Sequence, residues 1–197
     1  MTKAYLLGAL HDGTVRRLTY RIVQKEREYI EFLVKGIQSL GQKAWMYKEG
    51  NDSQLYVAEF SKSFLKDFVI ANKRDKIDYI RGYFDAEGGV SRDSKVRYYL
   101  YFAQKNLKDL QQVRVYLCEL GIYCGIIHNP SRRVDPNYWR FFISVKSYTK
   151  FAQLIGSWLP IKSQFLKDED IVHASSNGKI NMNKVSLAEA GDGSPPF

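Results

Sequence analysis

Two stretches of the chain, which lie 80 residues apart, carry apolar residues at the spacing of an α-helix. The first runs from Gln24 to Gly41 and the second from Gln104 to Gly121. Apolar side chains repeated every three or four positions place one helix face in a core, and a closing glycine is typical of a helix carboxyl terminus. The pattern therefore predicts two equivalent amphipathic helices. Their apolar positions are Ile30, Phe32, Leu33, Ile37 and Leu40 in the first helix, and Leu107, Leu110, Val113, Leu117 and Leu120 in the second.

Aromatic and β-branched residues form two short runs after each of these helices, and a turn sequence separates the two runs. Such paired runs are typical of β-hairpins. The serines of Lys62-Ser63-Phe64 and Lys146-Ser147-Tyr148 follow the hairpins, and each can cap one further helix. The predicted strands are 44–48, 55–60, 123–128 and 138–145, and the further predicted helices are 64–70 and 151–159.

A helix that ends in an acidic residue and a glycine is predicted ahead of each copy. Residues 4–13 read AYLLGALHDG, and residues 79–88 read YIRGYFDAEG. A repeat of about 80 residues is too long for a solenoid and indicates a duplicated domain with pseudo-twofold symmetry. We therefore predict a mixed α/β fold of two pseudo-symmetric αββαββα halves with antiparallel sheets. The halves are residues 1–75 and 76–169, and residues 170–197 form a C-terminal extension that we expect to be partly disordered.

The distribution of charge indicates what kind of partner the protein binds. The chain carries 30 Lys and Arg against 21 Asp and Glu, a net charge of +9, and residues 92–169 alone contribute +7. A strongly cationic segment favours a polyanionic partner. A content of 45% hydrophobic residues excludes a disordered chain, and no apolar run approaches the ~18 residues of a membrane span. With two cysteines and no secretory leader, we expect a cytoplasmic or organellar protein that is not secreted.

The two acid-bearing helices carry small residues at Gly8, Ala9 and Gly82, which allow two helices to approach closely. Packed side by side, these helices would bring Asp12 and Glu87 together between the halves. Two neighbouring carboxylates repel each other when both are ionised, and a hard divalent cation relieves that repulsion. Cations bound there would clamp the attacking and leaving oxygens of a phosphodiester. The pair therefore predicts a centre for metal-assisted phosphodiester hydrolysis.

The duplicated pattern resembles the LAGLIDADG homing endonucleases in their single-chain form with two motifs. The segment 82–88, GYFDAEG, is similar to the family motif, and a Gln-Lys pair recurs at 24–25 and 104–105. The first motif departs from the pattern, because its acid Asp12 lies four residues after Gly8 rather than five. The chain from Gly13 to Gln24 is also short, which predicts a truncated or merged first strand pair.

The resemblance implies a homing endonuclease that makes double-strand breaks at a long, asymmetric site in double-stranded DNA. It implies two or three divalent ions, Mg²⁺ or Mn²⁺, and a monomer without an obligate protein partner or a membrane. A strand-end glutamine can hold a water or a phosphate oxygen, and a lysine near the scissile phosphate stabilises its charge. The expected catalytic residues are Asp12, Glu87, Gln24, Gln104, Lys73 and Lys162, and the expected metal ligands are Asp12, Glu87 and the backbones of Gly13 and Ala86.

Alternating residues ahead of each predicted amphipathic helix indicate the DNA-reading surface. Leu18, Tyr20 and Ile22 alternate with Arg17, Thr19 and Arg21, and a similar alternation recurs 80 residues later. A period of two places one sheet face under the helices and leaves the other open. Arg and Tyr on the open face suit phosphate neutralisation and major-groove reading by a saddle of two sheets. The expected DNA-binding residues are Arg17, Thr19, Arg21, Lys43, Lys48, Arg97, Tyr99, Tyr101, Arg132, Arg133 and Arg140.

A second interpretation keeps the same fold without cleavage, as in an intron splicing maturase, and a transcription regulator is a third class. The shifted position of Asp12 favours these alternatives, whereas retention of both acids favours the enzyme. We interpret Asp85 as a packing or capping group, and Trp45, Trp139 and Trp158 as core residues rather than base-stacking ones.

Overall fold

The structure is a computed structural model, and it describes residues 1–50, 53–91 and 98–167. Arg97 and the predicted extension 170–197 lie outside the described residues. Within the described chain, helices and strands recur in two sets. The amino-terminal half contains α1 (Lys3–Ala9), β1 (Thr14–Val15), β2 (Thr19–Gln24), α2 (Arg27–Ser39), β3 (Ala44–Lys48) and β4 (Tyr56–Ser61). The carboxyl-terminal half contains α3 (Lys73–Glu87), β5 (Gly88–Val90), β6 (Leu100–Gln104), α4 (Leu107–Glu119), β7 (Trp139–Phe142), α5 (Tyr148–Leu154) and α6 (Pro160–Ser163).

Each half contains one antiparallel sheet, as the alternating pattern predicts. The strand order is β1-β2-β4-β3 in the amino-terminal half and β5-β6-β7 in the carboxyl-terminal half. In β2, Tyr20 and Ile22 pack into the core, so the alternating residues Thr19 and Arg21 lie on the opposite face. Leu18 was expected on the core face but is 70% exposed, because it lies in the bend before β2. The first strand, β1, has two residues, which confirms the truncation expected from the short segment after Gly13.

The two predicted amphipathic helices are confirmed as α2 and α4. The side chains of Ile30 and Leu33 in α2, and of Leu110 in α4, are completely buried. The glycines that follow both helices adopt positive φ angles, 78° at Gly41 and 71° at Gly121. A left-handed glycine after the last turn satisfies the final carbonyls of a helix, which is why the two helices end at equivalent positions.

The predicted helix over 64–70 does not form, and a single 3₁₀ turn at Lys62–Phe64 stands in its place. Phe68 and Ile70 instead pack against the core of the carboxyl-terminal half. The chain is therefore already crossing between the halves where the helix was expected.

Two elements of the second half also differ from the predicted ones. Over 123–128 the structure has isolated bridges, from Cys124 to Ile143 and from His128 to Arg140. Gly125 interrupts this run, and glycine weakens a strand interior. The last predicted helix, 151–159, begins earlier as α5 and ends at Leu154, because Gly156 follows in a left-handed conformation with φ of 62°.

The helix α3 begins before the predicted boundary between the halves. Asn72 caps it by accepting a hydrogen bond from the backbone N–H of Asp75, and the Asp75 side chain accepts from the Asn72 backbone in return. This capping box fixes the start of the helix at Lys73. The division after residue 75 would therefore fall in the first turn of α3.

The helices α1 and α3 pack against each other through their glycines, as predicted. A Cβ atom built on Gly8 would lie 2.6 Å from the backbone nitrogen of Tyr83, and one on Gly82 would lie 2.8 Å from that of Ala9. Both positions are therefore closed to any larger residue. This contact joins the two hydrophobic cores and brings the carboxyl ends of both motif helices to one place.

Among the described residues, no helix is long and apolar enough to cross a membrane.

Candidate active site

Asp12 lies at the end of the first motif, in a 3₁₀ turn over Leu10–Asp12 that extends α1. A 3₁₀ turn rises about 2.0 Å per residue, against about 1.5 Å in an α-helix. The first motif therefore spans nearly the same length as the second with one residue fewer between glycine and acid. The greater rise per residue of the 3₁₀ turn compensates for the missing residue between Gly8 and Asp12. The sequence alone does not show this compensation.

Glu87 is the last residue of α3, and it meets Asp12 at the junction of the halves. Burial is the main cause of the raised pKa of Glu87, and the charge of Asp12 raises it further. The structure thus brings together the two acids that the sequence predicted as a pair.

Each carboxylate accepts a hydrogen bond from the glutamine that ends a neighbouring strand. Gln24, at the end of β2, donates from Nε2 to Asp12 Oδ2 at 3.2 Å. Gln104, at the end of β6, donates from Nε2 to Glu87 Oε1 at 2.6 Å. The two glutamines were predicted as catalytic residues, and their observed contact is with the acids themselves. They orient the carboxylates, as hydrogen-bonding partners of metal ligands typically do.

The surroundings of the two acids disfavour their ionised forms. Burial raises the pKa of Glu87 to about 7; the hydrogen bond from Gln104 and the charge of Lys162 oppose this shift, and the charge of Asp12 adds to it. Desolvation by neighbouring protein atoms also raises the pKa of Asp12, although part of that side chain is exposed, and the charge of Lys162 again opposes the shift. The ionised forms of two neighbouring acids with raised pKa values are stabilised by a positive charge placed beside them.

Lys162 supplies part of that positive charge from a buried position on α6. Its Nζ donates to the carbonyl oxygens of Phe84 and Asp85, both at 2.7 Å. These carbonyls belong to the last turn of α3, where a cation is favourable for the helix dipole. Lys162 was predicted to act near the scissile phosphate. The structure places it close to both carboxylates and anchors it to the end of α3.

Lys73 does not reach this centre. It is the first residue of α3, whereas Glu87 is the last of its 15 residues, so about 21 Å of helix separates them. The prediction that Lys73 is catalytic is therefore not supported. The prediction depends on a helix over 64–70 that would end just before Lys73, and this helix does not form. Asn72 and Asp75, the two residues of the capping box, are the sequence signal that could have located the helix start.

Asp85 has the packing role that the sequence suggested. It is buried, with 2% of its surface exposed, and it accepts hydrogen bonds from Tyr5 Oη at 2.6 Å and the backbone N–H of Trp158 at 3.0 Å. Ser157 also donates to it. Asp85 therefore ties α3 to α1 and to the segment before α6.

The residues that could hold a cation are few. Among the described residues, no three His, Cys, Asp or Glu side chains form a metal-binding cluster. A cation here would therefore rely on Asp12, Glu87 and backbone carbonyls, with phosphate oxygens and water completing its shell. Such an oxygen-rich, incomplete site suits Mg²⁺. Ala86 lies in the last turn of α3, where carbonyls lack intrahelical partners, and Gly13 directly follows Asp12.

On the predicted DNA surface of the amino-terminal half, hydrogen bonds link the polar side chains to one another. Arg21 is largely buried, and it donates to Tyr47 Oη at 3.0 Å and to Glu49 at 2.9 Å. Thr19 donates to Glu59 at 2.6 Å. The charge of Arg21 is therefore balanced within the sheet face. The sequence reading did not identify Tyr47, Glu49 and Glu59, because their proximity depends on the register of three strands.

The predicted DNA surface of the carboxyl-terminal half is aromatic. Tyr99, Tyr101 and Phe142 contact one another with ring centres 5.4 to 6.4 Å apart. The guanidinium of Arg140 lies over Tyr101, 4.9 Å from the ring centre, and donates to Tyr138 Oη at 2.9 Å. Stacking of this kind orients a guanidinium without cancelling its charge.

The remaining predicted DNA contacts lie on exposed loops and a strand end. Arg17 is in the turn between β1 and β2, Lys43 precedes β3 and Lys48 ends it, and Arg132 and Arg133 are in the loop before β7. The assignment of Trp45 to the core is wrong. Its side chain is 50% exposed, because it alternates in β3 with the core-facing residues Ala44 and Met46.

Fold and site together define a duplicated α/β domain whose two halves share one carboxylate centre, and comparison with known proteins agrees. The pattern of the LAGLIDADG-like domain matches residues 75–156. The chain is 30% identical over 200 residues to the homing endonuclease I-ApeI of Aeropyrum pernix, a match that covers 83% of this chain and 85% of that protein. The chain therefore belongs to the LAGLIDADG homing endonuclease family.

Solved structures support the same assignment. A structure of mesophilic variants of the homing endonuclease I-DmoI is 25% identical, with a TM-score of 0.62, over 83% of this chain and 95% of that chain. I-DmoI in complex with DNA and Ca is also 25% identical, with a TM-score of 0.60 and the same coverage. The N-terminal LAGLIDADG domain of DUF199/WhiA shares the fold at 17% identity, with a TM-score of 0.58 and 88% of each chain covered.

Proposed function

We propose that this protein is a site-specific DNA endonuclease that uses divalent cations to hydrolyse one phosphodiester bond in each strand of an asymmetric double-stranded target. The observation that carries the proposal is the meeting of Asp12 and Glu87 at the ends of two glycine-packed helices, with a glutamine on each acid. An isolated surface acid would need neither the packed helices nor the paired glutamines.

Mg²⁺ is the cation that the site fits best, and Mn²⁺ has similar oxygen preferences. Asp12 and Glu87 would hold it together with the backbones of Gly13 and Ala86, in a set of two or three ions. The bound cations would supply charge neutralisation, activation of water and stabilisation of the phosphodiester transition state.

The side chains of the protein have three tasks around that chemistry. Gln24 and Gln104 fix the orientation of the carboxylates through hydrogen bonds. Because Gln104 donates to Oε1 of Glu87, a proton held by that acid at low pH would sit on Oε2. Lys162 contributes a positive potential beside both acids, which favours their ionised forms and attracts the phosphate backbone.

The two sheet faces would bind the two halves of the target, with a single chain per site, because one chain supplies both motifs. The net charge of +9 supports binding to a polyanion. No protein partner and no membrane are needed for this activity. The chain has two cysteines, so a reducing cytoplasm or organellar matrix suits it.

A non-cleaving protein on this scaffold, such as a splicing maturase, is the alternative that the shifted Asp12 favoured. The 3₁₀ turn at Leu10–Asp12 removes that argument, because it carries Asp12 to the junction despite the missing residue. The hydrogen bond from Gln24 to Asp12 then repeats the one in the second half. These observations favour cleavage over binding alone.

The test is a cleavage selection. A library of randomised DNA duplexes is incubated with the full-length protein and Mg²⁺, and the cut ends are sequenced. We expect one asymmetric target sequence, cut in both strands, and no cleavage with EDTA. A palindromic target would contradict the monomeric form of the proposal, and the absence of any Mg²⁺-dependent cut would contradict the enzyme.

A further inference from the structure

A carboxylate lies in the middle of the amino-terminal sheet face that is proposed to meet DNA. Glu59 is on β4, between the two strands β2 and β3, and its register partners are Arg21 on β2 and Trp45 on β3. A negative charge on a phosphate-binding surface opposes binding. Its position on this face therefore calls for a function that outweighs the electrostatic cost.

Both oxygens of Glu59 hold neighbouring side chains in place. Thr19 donates its hydroxyl proton to Oε1 at 2.6 Å, and Tyr47 donates to Oε2 at 2.5 Å. Tyr47 in turn accepts a hydrogen bond from Nε of Arg21 at 3.0 Å. The hydrogen bonds from Thr19 and then Tyr47 lower the pKa of Glu59, so it is ionised at neutral pH. Glu59 therefore orients three polar side chains.

This arrangement determines which hydrogen bonds the face can offer to a base. A hydroxyl has one proton to donate, and Thr19 gives it to Glu59. Thr19 Oγ1 can then act towards DNA as an acceptor. In the major groove, acceptors match the amino groups of adenine and cytosine, whereas guanine and thymine present acceptors of their own. An oriented Thr19 would therefore prefer an amino-bearing base.

We propose that Glu59 is a positioning residue that determines the specificity of the amino-terminal half, by committing the Thr19 hydroxyl to an acceptor role and fixing Tyr47 and Arg21. Through Thr19, Glu59 favours adenine or cytosine at the base that Thr19 contacts. Through Tyr47 and Arg21, it increases discrimination between bases at the adjoining base pairs. The proposal rests on the proposed function, in that this sheet face meets DNA.

The test is a binding selection, which is separate from cleavage. The full-length protein is incubated with randomised duplexes without divalent cations, so that bound DNA stays intact, and the enriched sequences are compared with those of Glu59→Gln. We expect base preference to fall about fivefold or more at two or three adjacent pairs in one half-site, with the other positions unchanged. Affinity for random duplex should rise, because a negative charge is removed from the face.

Two further variants keep this test decisive. Glu31→Gln removes the same charge from α2, where Glu31 pairs with Arg27, on the helix packed against the core face of the same sheet; it should leave every preference unchanged. Thr19→Val keeps the shape of the side chain, removes the acceptor and should lose the adenine or cytosine preference at the same position. Unchanged preferences in Glu59→Gln, or in Thr19→Val, would overturn the proposal. Failure of the parent protein to enrich any sequence would instead contradict the proposed function.

Discussion

The two sheet faces hold their central arginines in opposite ways. Arg21, in the amino-terminal half, donates to Tyr47 and Glu49 and lies within 4.0 Å of Glu59, so acidic groups balance its charge. Arg140, in the carboxyl-terminal half, is held among aromatic rings and forms no ion pair with the residues that the structure describes. Its Nε is buried and has no hydrogen-bond partner among the described residues.

This difference agrees with the division of net charge between the halves. Residues 1–72, ahead of α3, carry +3, and residues 73–169 carry +7. We infer that the carboxyl-terminal half contributes more of the electrostatic affinity, which does not depend on sequence. The amino-terminal half contributes more of the discrimination, because fixed hydrogen-bonding groups read base edges. Duplication therefore preserved the carboxylate centre, while the two faces diverged.

The largest expected effect comes from the centre that the halves share. Glu87→Gln and Asp12→Asn should each reduce double-strand cleavage in Mg²⁺ by about a hundredfold or more, because even groups behind metal ligands contribute 10- to 100-fold. Binding of DNA should change little, because lysines and arginines supply the affinity. Cleavage rates and binding constants on the selected target provide the measurement.

The control for these variants is Glu31→Gln, whose acid lies on α2 and pairs with Arg27. It should cut at the parental rate. If the double variant of Asp12 and Glu87 still cut DNA, the assignment of the catalytic acids would be wrong.

The contact between the halves should be the most sensitive to added volume. Gly82→Ala would force a Cβ against the backbone of Tyr5 and Ala9, so we expect a loss of about 1–3 kcal/mol or more in the free energy of unfolding. Urea titration followed by circular dichroism measures it.

Gly36→Ala is the matched control, because Gly36 lies within α2 and its added Cβ would meet the flexible side chain of Met1. The same substitution should there cost less, because the Met1 side chain can shift and Ala is favoured over Gly within a helix by roughly 0.5–1 kcal/mol. Equal losses in the free energy of unfolding in both variants would show that the close packing of α1 against α3 is not what stabilises the contact between the halves.

A pH effect should follow from the raised pKa of Glu87. The folded protein holds this proton up to about pH 7, whereas the unfolded chain releases it near the ordinary value of 4.5. In the window between these values the folded state binds more protons, so stability without metal should fall as pH rises, and the cost should persist above pH 7. Thermal unfolding in EDTA at a series of pH values measures this.

Two comparisons isolate the contribution of Glu87 to that profile. Glu87→Gln should flatten the profile, because the titrating group is gone. Mg²⁺ should stabilise the parent more at pH 7.5 than at pH 5.5, since cation binding requires the ionised acids. A parent and a variant with identical profiles would contradict the raised pKa.

The sequence predicted the features that depend on local pattern. The two amphipathic helices, their glycine ends and the pairing of Asp12 with Glu87 all follow from a repeat of residues along the chain. It failed for Lys73 because the start of α3 depends on the capping box of Asn72 and Asp75, which the expected helix over 64–70 obscured. It also missed the network around Glu59, since the register of β2, β3 and β4 is a property of the assembled sheet.

The smallest expected effect separates the two arginines directly. Each phosphate neutralised by a basic side chain contributes about 0.9 to the slope of log binding constant against log salt concentration. Arg140→Gln should therefore reduce the slope for random duplex DNA by about 0.9, because its charge is available to phosphate. Arg21→Gln should reduce it much less, because Glu49 and Glu59 already balance that charge. Titrations over a range of KCl concentrations measure both slopes, with thermal unfolding as a check that each variant is folded. Equal reductions for the two variants would show that the faces do not divide affinity and discrimination between them.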